Sequence, residues 1–358
     1  MARIYKDYFD ISHMINKAKK DKLAFIVAVS DDPQRGCGKT YSTASYLLNQ
    51  FKTKGERFII LVREVRELGK MAEGMMDMML ADKYPNARIY EKKQENIFSY
   101  IYMEEGTGEE KTCDLIGFCV CLRNAKNIKN YRGLMQSANV KYFWFDEFQP
   151  LDGKYLEDEV TLLFPTIYDT VNGAIETIPC ILTANTINLG NPWFANIRNG
   201  EGRRLTSLIQ SNTRQLKTDT CIFENIRVQG LAEKHMTSAM NIALGRYGEQ
   251  YASNTWIGDD NSLVERPDNY GRANYIATLV YDNNQRLSVL SYPQVNLYYI
   301  GRKVDSSCPY VYNLKVNANL NIPLLKSNPL MSHLRECFYK GEVRVADNSI
   351  QRLLLDTL

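Results

Sequence analysis

An uninterrupted apolar run, Leu23–Val29 (LAFIVAV), leads within a few residues into the turn Gln34-Arg35-Gly36-Cys37-Gly38-Lys39-Thr40, from which a helical pattern opens. A strand that is apolar at every position is buried on both faces, as in the middle of a parallel sheet. Glycines in the turn permit backbone angles that other residues resist. A strand, a tight glycine turn and a helix in that order commit the chain to an α/β architecture.

The rest of the first half keeps that alternation. Apolar runs recur at Phe58–Val62, Val140–Phe145 and Cys180–Ala184, with helical stretches expected at 39–51, 66–83 and 156–168. Ile97–Met103 and Leu115–Leu122 flank the turn-like EEGTGEEKT and read as a hairpin inserted into the sheet order. After Asn191-Pro192 the texture turns polar, with one short helix expected over Leu231–Ala243. Strand-like runs return at Tyr275–Tyr281, Arg286–Tyr292 and Val295–Ile300, and a helical stretch at Ile350–Leu355 closes the chain. At 358 residues the chain is too long for one ordinary core. The expected division is a first domain at 1–196, a linker module at 197–265 and a smaller α/β domain at 266–358.

Composition narrows the setting. No apolar run reaches the ~18–20 residues that a membrane span needs, and the charged, aromatic start MARIYKDYFD is unlike a signal peptide. The eight cysteines follow neither a zinc spacing nor a disulfide framework, and Cys37 sits inside the glycine turn, so a reducing cytoplasm is expected. The net charge of +3 is small for a protein that clings to nucleic acid over a broad surface, so any such contact is local and releasable.

Chemistry concentrates at strand ends. Amides around Gly36, Cys37 and Gly38 can wrap phosphate oxygens, with the positive end of the following helix behind them. Lys39 would reach the β- and γ-phosphates of ATP and the Thr40 hydroxyl would hold Mg2+. Pro33 stands where the usual first glycine of such a loop is found. The apolar run Val140–Phe145 ends in Asp146-Glu147. Asp146 would hold Mg2+ through water, and Glu147 would polarise the water attacking the γ-phosphate. Taken alone, a glycine turn or an acidic strand end is ordinary punctuation; together in one α/β pattern they specify ATP hydrolysis. Asn185, closing the run Cys180–Ala184, either senses the γ-phosphate or simply starts a turn. An arginine donated by a neighbouring subunit would complete the site, with Arg132 the first candidate and Arg198, Arg203 and Arg204 the others. Arg63 and Arg66 follow the Phe58–Val62 strand, where they would either touch phosphate or pair with Glu64 and Glu67.

With these residues in view, the chain resembles the DNA-packaging ATPases of phi-29-like tailed bacteriophages, relatives of the large terminase motors. The resemblance rests on Arg35-Gly36-Cys37-Gly38-Lys39-Thr40, on Phe145-Asp146-Glu147-Phe148, and on Asn185 followed by Asn191-Pro192-Trp193-Phe194. Tyr247-Gly248-Glu249 and Trp256-Ile257-Gly258-Asp259 add to it. It implies an N-terminal P-loop ATPase domain of the additional-strand, catalytic-glutamate type and a C-terminal ribonuclease-H-like domain that is a vestigial nuclease. It also implies a homopentameric ring in the host cytoplasm, docked transiently on the portal of a procapsid. The ring would pump double-stranded DNA with no membrane partner and with a structural RNA as a candidate intermediary. Arginines that the family carries between its acidic pair and the Asn strand are missing here, which raises the stakes on Arg132. Tyr275–Tyr281 carries no interior acid, and Asp282 falls in a turn, so the carboxylate cluster of a two-metal nuclease is not expected. DNA contacts are expected at Lys126 and Lys129, in the basic loop after the hairpin, and at Lys154. The rival readings are a terminase-like motor with an active nuclease, a ring ATPase of replication or helicase loading, and a scaffold that binds ATP without turnover.

Overall fold

The computed structural model describes residues 5–30, 34, 36–106, 110–150, 155–173, 176–185, 191–209, 213–231, 234, 264, 270–281, 285–314, 322–325, 328–340, 342–346, 350–351 and 353–354. The expectations for Pro33, Arg35, Lys154, Asp282, the Tyr247-Gly248-Glu249 and Trp256–Asp259 motifs and most of the helix at 231–243 lie outside the described residues.

The first apolar run becomes β1 (Phe25–Val29), and the other three become β2 (Arg57–Val62), β6 (Val140–Asp146) and β7 (Cys180–Ala184). With β3 (Ala87–Gln94), β4 (Phe98–Glu105), β5 (Thr112–Cys121), β8 (Gln215–Lys217) and β9 (Cys221–Asn225) they form one sheet in the order β3-β4-β5-β2-β6-β7-β1-β9-β8. From β5 to β9 every neighbouring pair is parallel, while β3–β4, β4–β5 and β8–β9 are antiparallel. Both faces of the parallel strands are buried, which is why their sequences do not alternate. One face packs Ile26, Ala28, Phe58, Ile60, Tyr142, Trp144 and Ile181 beneath α1 (Ser12–Asp21), α2 (Lys39–Lys54) and α3 (Met71–Lys83). The other face packs Val27, Ile59, Phe143, Phe145 and Leu182 against the 3-10 segment Leu122–Tyr131, α4 (Arg132–Ser137), α5 (Phe164–Asn172) and α6 (Pro192–Asn196).

Three departures from the sequence reading have local causes. The sheet does not stop at residue 196, because β9 pairs with β1 from Phe25–Cys221 to Val29–Asn225 and so buries β1 on its second edge. β9 escaped notice because CIFEN carries Glu224, which is buried and satisfied by the Tyr5 hydroxyl at 2.8 Å and His13 Nε2 at 3.0 Å. β3 carries no apolar run either, since its exposed charged residues Arg88, Lys92 and Lys93 are those of an edge strand. Finally, the helix expected from residue 66 starts at Met71; Val65–Glu67 is instead a 3-10 turn capped by the Glu64 and Glu67 side chains.

Beyond residue 270 a second sheet runs β13-β10-β11-β12-β14, from β10 (Asn274–Tyr281), β11 (Gln285–Tyr292), β12 (Leu297–Gly301), β13 (Val311–Asn313) and β14 (Val343–Val345). β10, β11 and β12 form an antiparallel meander, whereas β13 lies parallel to β10 and β14 parallel to β12. The helix Pro329–Tyr339 opens with Asn328 accepting from the Leu330 amide at 2.9 Å. The helical stretch expected at the end of the chain is present at Ile350 and Leu354, both buried. Among the described residues no helix is long and apolar enough to cross a membrane.

Candidate active site

The strand order decides which residues meet. β7 stands between β1 and β6, so the C-terminal tips of all three lie side by side, spaced by roughly 4.8 Å per strand. The turn after β1, the acids ending β6 and Asn185 after β7 therefore converge at one edge of the sheet.

The turn after β1 is built as a cradle. Gly36 and Gly38 have φ of +80° and +96°, where a side chain would be strained. A Cβ on Gly38 would also approach Tyr8 Cβ to 3.3 Å. Gly38 is the N-cap of α2 and makes no side-chain cap, so the first amides of that helix point out of its end. From the other side the strap before α1 closes on the loop, the Phe9 amide donating to the Cys37 carbonyl at 2.8 Å.

Lys39 is buried, at 4 % exposure, and its ammonium donates to Ser30 Oγ at 2.6 Å and Asn185 Oδ1 at 2.9 Å. Among the described residues no carboxylate pairs with it. A buried cation held only by neutral groups is costly unless an anion arrives.

Thr40 Oγ1 donates to Asp146 Oδ2 at 2.8 Å. The other oxygen of Asp146 accepts from Thr183 Oγ1 at 2.5 Å, and Thr183 in turn accepts from Trp144 Nε1 at 3.2 Å. The carboxylate is thus fixed in rotation by a chain of donors from β7 and β6. Glu147 next to it has φ of +51°, an uncommon backbone state for a non-glycine residue. Its amide donates to Asp146 Oδ1 at 3.2 Å, and the following Phe148 amide donates to the Thr183 carbonyl at 3.2 Å. The Glu147 carboxylate meets Asn185 Nδ2 at 3.5 Å. Asn185 therefore spans Lys39 and Glu147.

The two aromatic motifs pack together behind the acids. Trp193 contacts Phe145 and Phe148 edge-on, with ring centroids 5.6 and 6.3 Å apart, and Phe194 lies 5.7 Å from Phe148. Buried Asn191 caps α6 by accepting the Phe194 amide at 2.9 Å.

The remaining sequence candidates stay outside this constellation. Arg132 is exposed at the start of α4, in the crossover from β5 to β6, and among the described residues no hydrogen bond joins it to the site. Lys126 and Lys129 are exposed on the 3-10 segment Leu122–Tyr131, whose Ala125 and Ile128 face the core. Arg198 donates to the Gly202 carbonyl at 3.0 Å and belongs with Arg203 and Arg204 to a local hairpin. Among the described residues no ion pair joins Arg63 or Arg66 to Glu64 or Glu67. Arg63 reaches Glu159 on the far side of the acids, Glu64 pairs with Arg123 at 2.5 Å, and the Glu67 carboxylate accepts the Glu64 amide at 2.7 Å. Glu159 was not among the sequence candidates; it is the last of three consecutive acids, Glu157-Asp158-Glu159, and nothing local marks it as the buried one.

Residues 7–357 match the profile of the family described as Podovirus DNA encapsidation protein (Gp16). The chain belongs to this family. It is 26% identical over 327 residues to the DNA packaging protein of Bacillus phage phi29, an alignment covering 89% of each chain. Its fold is similar to that of a chain in the bacteriophage Phi-29 viral genome packaging motor assembly, with a TM-score of 0.52, 23% identity and 97% of both chains covered. The Phi-28 gp11 DNA packaging motor is similar at the same TM-score of 0.52, with 16% identity over 98% of this chain and 96% of that one. The chain is accordingly a viral DNA-packaging protein, and the converging strand tips are its candidate motor centre.

Proposed function

We propose that this chain hydrolyses ATP and uses the energy to move viral double-stranded DNA into a preformed procapsid. The observation that carries the reading is the buried Lys39 ammonium, which lacks a carboxylate partner among the described residues and is linked through Asn185 to Glu147. A terminal phosphate seated against the amides around Gly38 would supply the missing negative charge. The converging Thr40 hydroxyl and Asp146 carboxylate form a donor set of the hard-oxygen kind that suits Mg2+, which keeps most of its waters and takes few protein ligands. Held there by Thr40 and Asp146, Mg2+ would supply positive charge to offset that of the phosphates. Lys39 would draw in the γ-phosphate, and Glu147 would accept the proton of the attacking water. Asn185 would report the presence of that phosphate by exchanging its Lys39 contact.

The additional strand between β1 and β6 supports the catalytic-glutamate class of P-loop ATPase. Arg132, exposed on α4, is proposed to act on the site of a neighbour in a homopentameric ring docked on the portal vertex in the host cytoplasm. Lys126, Lys129 and Lys154 are proposed to touch the DNA backbone, and a structural RNA is a further candidate partner. The C-terminal domain is read as a ribonuclease-H-like fold without nuclease activity, since β10 carries no interior acid. Purified chain, procapsids and linear double-stranded DNA with ATP and Mg2+ test the proposal through nuclease-protected DNA. Protection that requires ATP is expected. Hydrolysis stimulated by single strands but indifferent to procapsids would favour a replication ATPase instead, and DNA cutting would favour a complete terminase.

A further inference from the structure

The Arg63 guanidinium at the tip of β2 is saturated with partners. Its Nε and one terminal nitrogen each meet the Glu159 carboxylate at 2.8 Å, a bidentate pair. The same terminal nitrogen donates to the Phe148 carbonyl at 2.5 Å, and the other donates to the Glu147 carbonyl at 3.1 Å. The guanidinium also lies over the rings of Phe145 and Tyr155, 4.5 and 5.4 Å from their centroids.

Glu159 is 1 % exposed and equally committed. Besides Arg63 it accepts Trp193 Nε1 at 2.7 Å and the Leu156 amide at 3.2 Å. One buried carboxylate therefore ties together the tip of β2, the segment that follows the acids and the aromatic motif of α6.

This arrangement bears on the unusual backbone state of Glu147. Glu147 holds φ of +51°, a state that persists only where the surroundings over-determine it. Arg63 clamps the carbonyls of Glu147 and Phe148, on the two peptide units that follow the Glu147 Cα, while the Glu147 and Phe148 amides are held by Asp146 and Thr183. From this we infer that Arg63, anchored by Glu159, is a positioning residue that aims the Glu147 carboxylate at the attacking water. The inference rests on the hydrolytic reading of Glu147 given above. Lysine cannot replace arginine here, because one ammonium cannot span a carboxylate and two carbonyls in a fixed plane.

The test is steady-state ATP hydrolysis by the full chain in Arg63→Lys, Arg63→Met, Glu159→Gln, Arg63→Met/Glu159→Gln and Arg63→Met/Glu147→Gln variants. Arg123→Met, which breaks only the exposed pair with Glu64, serves as control. Misplacing a reacting group by about 1 Å costs on the order of 100-fold in rate. Hence kcat should fall about 10- to 100-fold in both Arg63 variants, with KM for ATP changed by less than about 3-fold. Arg63→Met should add nothing to Glu147→Gln, because both act through the same carboxylate. The paired replacement Arg63→Met/Glu159→Gln leaves no unpaired charge, and a denaturation midpoint close to the wild type's shows that a loss of kcat there is not misfolding.

The inference is overturned if Arg63→Lys and the paired variant turn over ATP like the wild type while Glu147→Gln is inactive. It is equally overturned if Arg63→Met and Glu147→Gln act additively. Unimpaired hydrolysis by Glu147→Gln would instead remove the hydrolytic reading itself.

Discussion

Changing Asn185 to aspartate removes one hydrogen-bond donor and adds one charge while keeping the side-chain shape. In the native site Oδ1 accepts from the Lys39 ammonium at 2.9 Å and Nδ2 approaches Glu147 at 3.5 Å, near the outer limit of hydrogen bonding. Aspartate would keep the Lys39 contact and strengthen it as an ion pair. It would, however, set a carboxylate against Glu147 and compete with the incoming phosphate for the lysine. A hydrogen bond to a charged group contributes about 1.5–3 kcal/mol, which corresponds to about a 10- to 150-fold change in rate. Asn185→Asp should therefore lose at least that factor in kcat/KM for ATP. Asn185→Ala, which only removes the bridge, should lose less. Steady-state phosphate release measures both. If aspartate and alanine both remain within about twofold of the wild type, Asn185 links nothing that matters to turnover, and its bridging geometry is incidental.

Other consequences follow from neighbouring contacts. Thr183→Val removes the hydroxyl that fixes Asp146 at 2.5 Å, so the Mg2+ concentration for half-maximal hydrolysis should rise about 10-fold, as for other residues that orient metal ligands; an unshifted Mg2+ titration would refute this. A chain ended at residue 196 lacks β9 and leaves β1 as an open edge. It should aggregate, whereas one ended at residue 231 should stay monodisperse in light scattering. Burial pushes the Glu56 carboxyl up, but hydrogen bonds from Tyr142 and Lys19 outweigh that and hold it below the ordinary range. Its stabilising effect is thus complete above the unfolded carboxylate range and is lost as pH falls through the folded value. Glu56→Gln should flatten that acid limb of the denaturation midpoint, and an unchanged slope would contradict the assignment.

Much of the site was legible because its residues sit at sequence landmarks. Lys39, Thr40, Asp146 and Asn185 each end or follow a continuously apolar run, and burial on both faces makes such runs visible without knowledge of strand order. The order itself was not legible in the residues and came only through the resemblance, which implied an additional strand. Nothing local in CILTA says that β7 stands between β1 and β6, yet that placement brings Asn185 to both Lys39 and Glu147. β9 stayed hidden because Glu224 breaks its apolar pattern, and Tyr5 and His13, far away in sequence, make that acid tolerable in the core. Glu159 was missed for the same reason. A buried acid is recognised by its donors, and those come from β2, α6 and the Leu156 amide, with no spacing rule to connect them. The Phe148 and Trp193–Phe194 motifs could be noticed as words in the sequence, but their meaning is a shared aromatic cluster that only folding assembles.

The central claim is that Glu147 acts on water at a nucleotide held by Lys39 and Thr40. Glu147→Gln tests it most directly through paired measurements of ATP affinity and single-turnover hydrolysis. The account predicts binding within a few-fold of the wild type and hydrolysis reduced by at least about 100-fold, with procapsid filling abolished. Tight binding accompanied by near-normal turnover would contradict it.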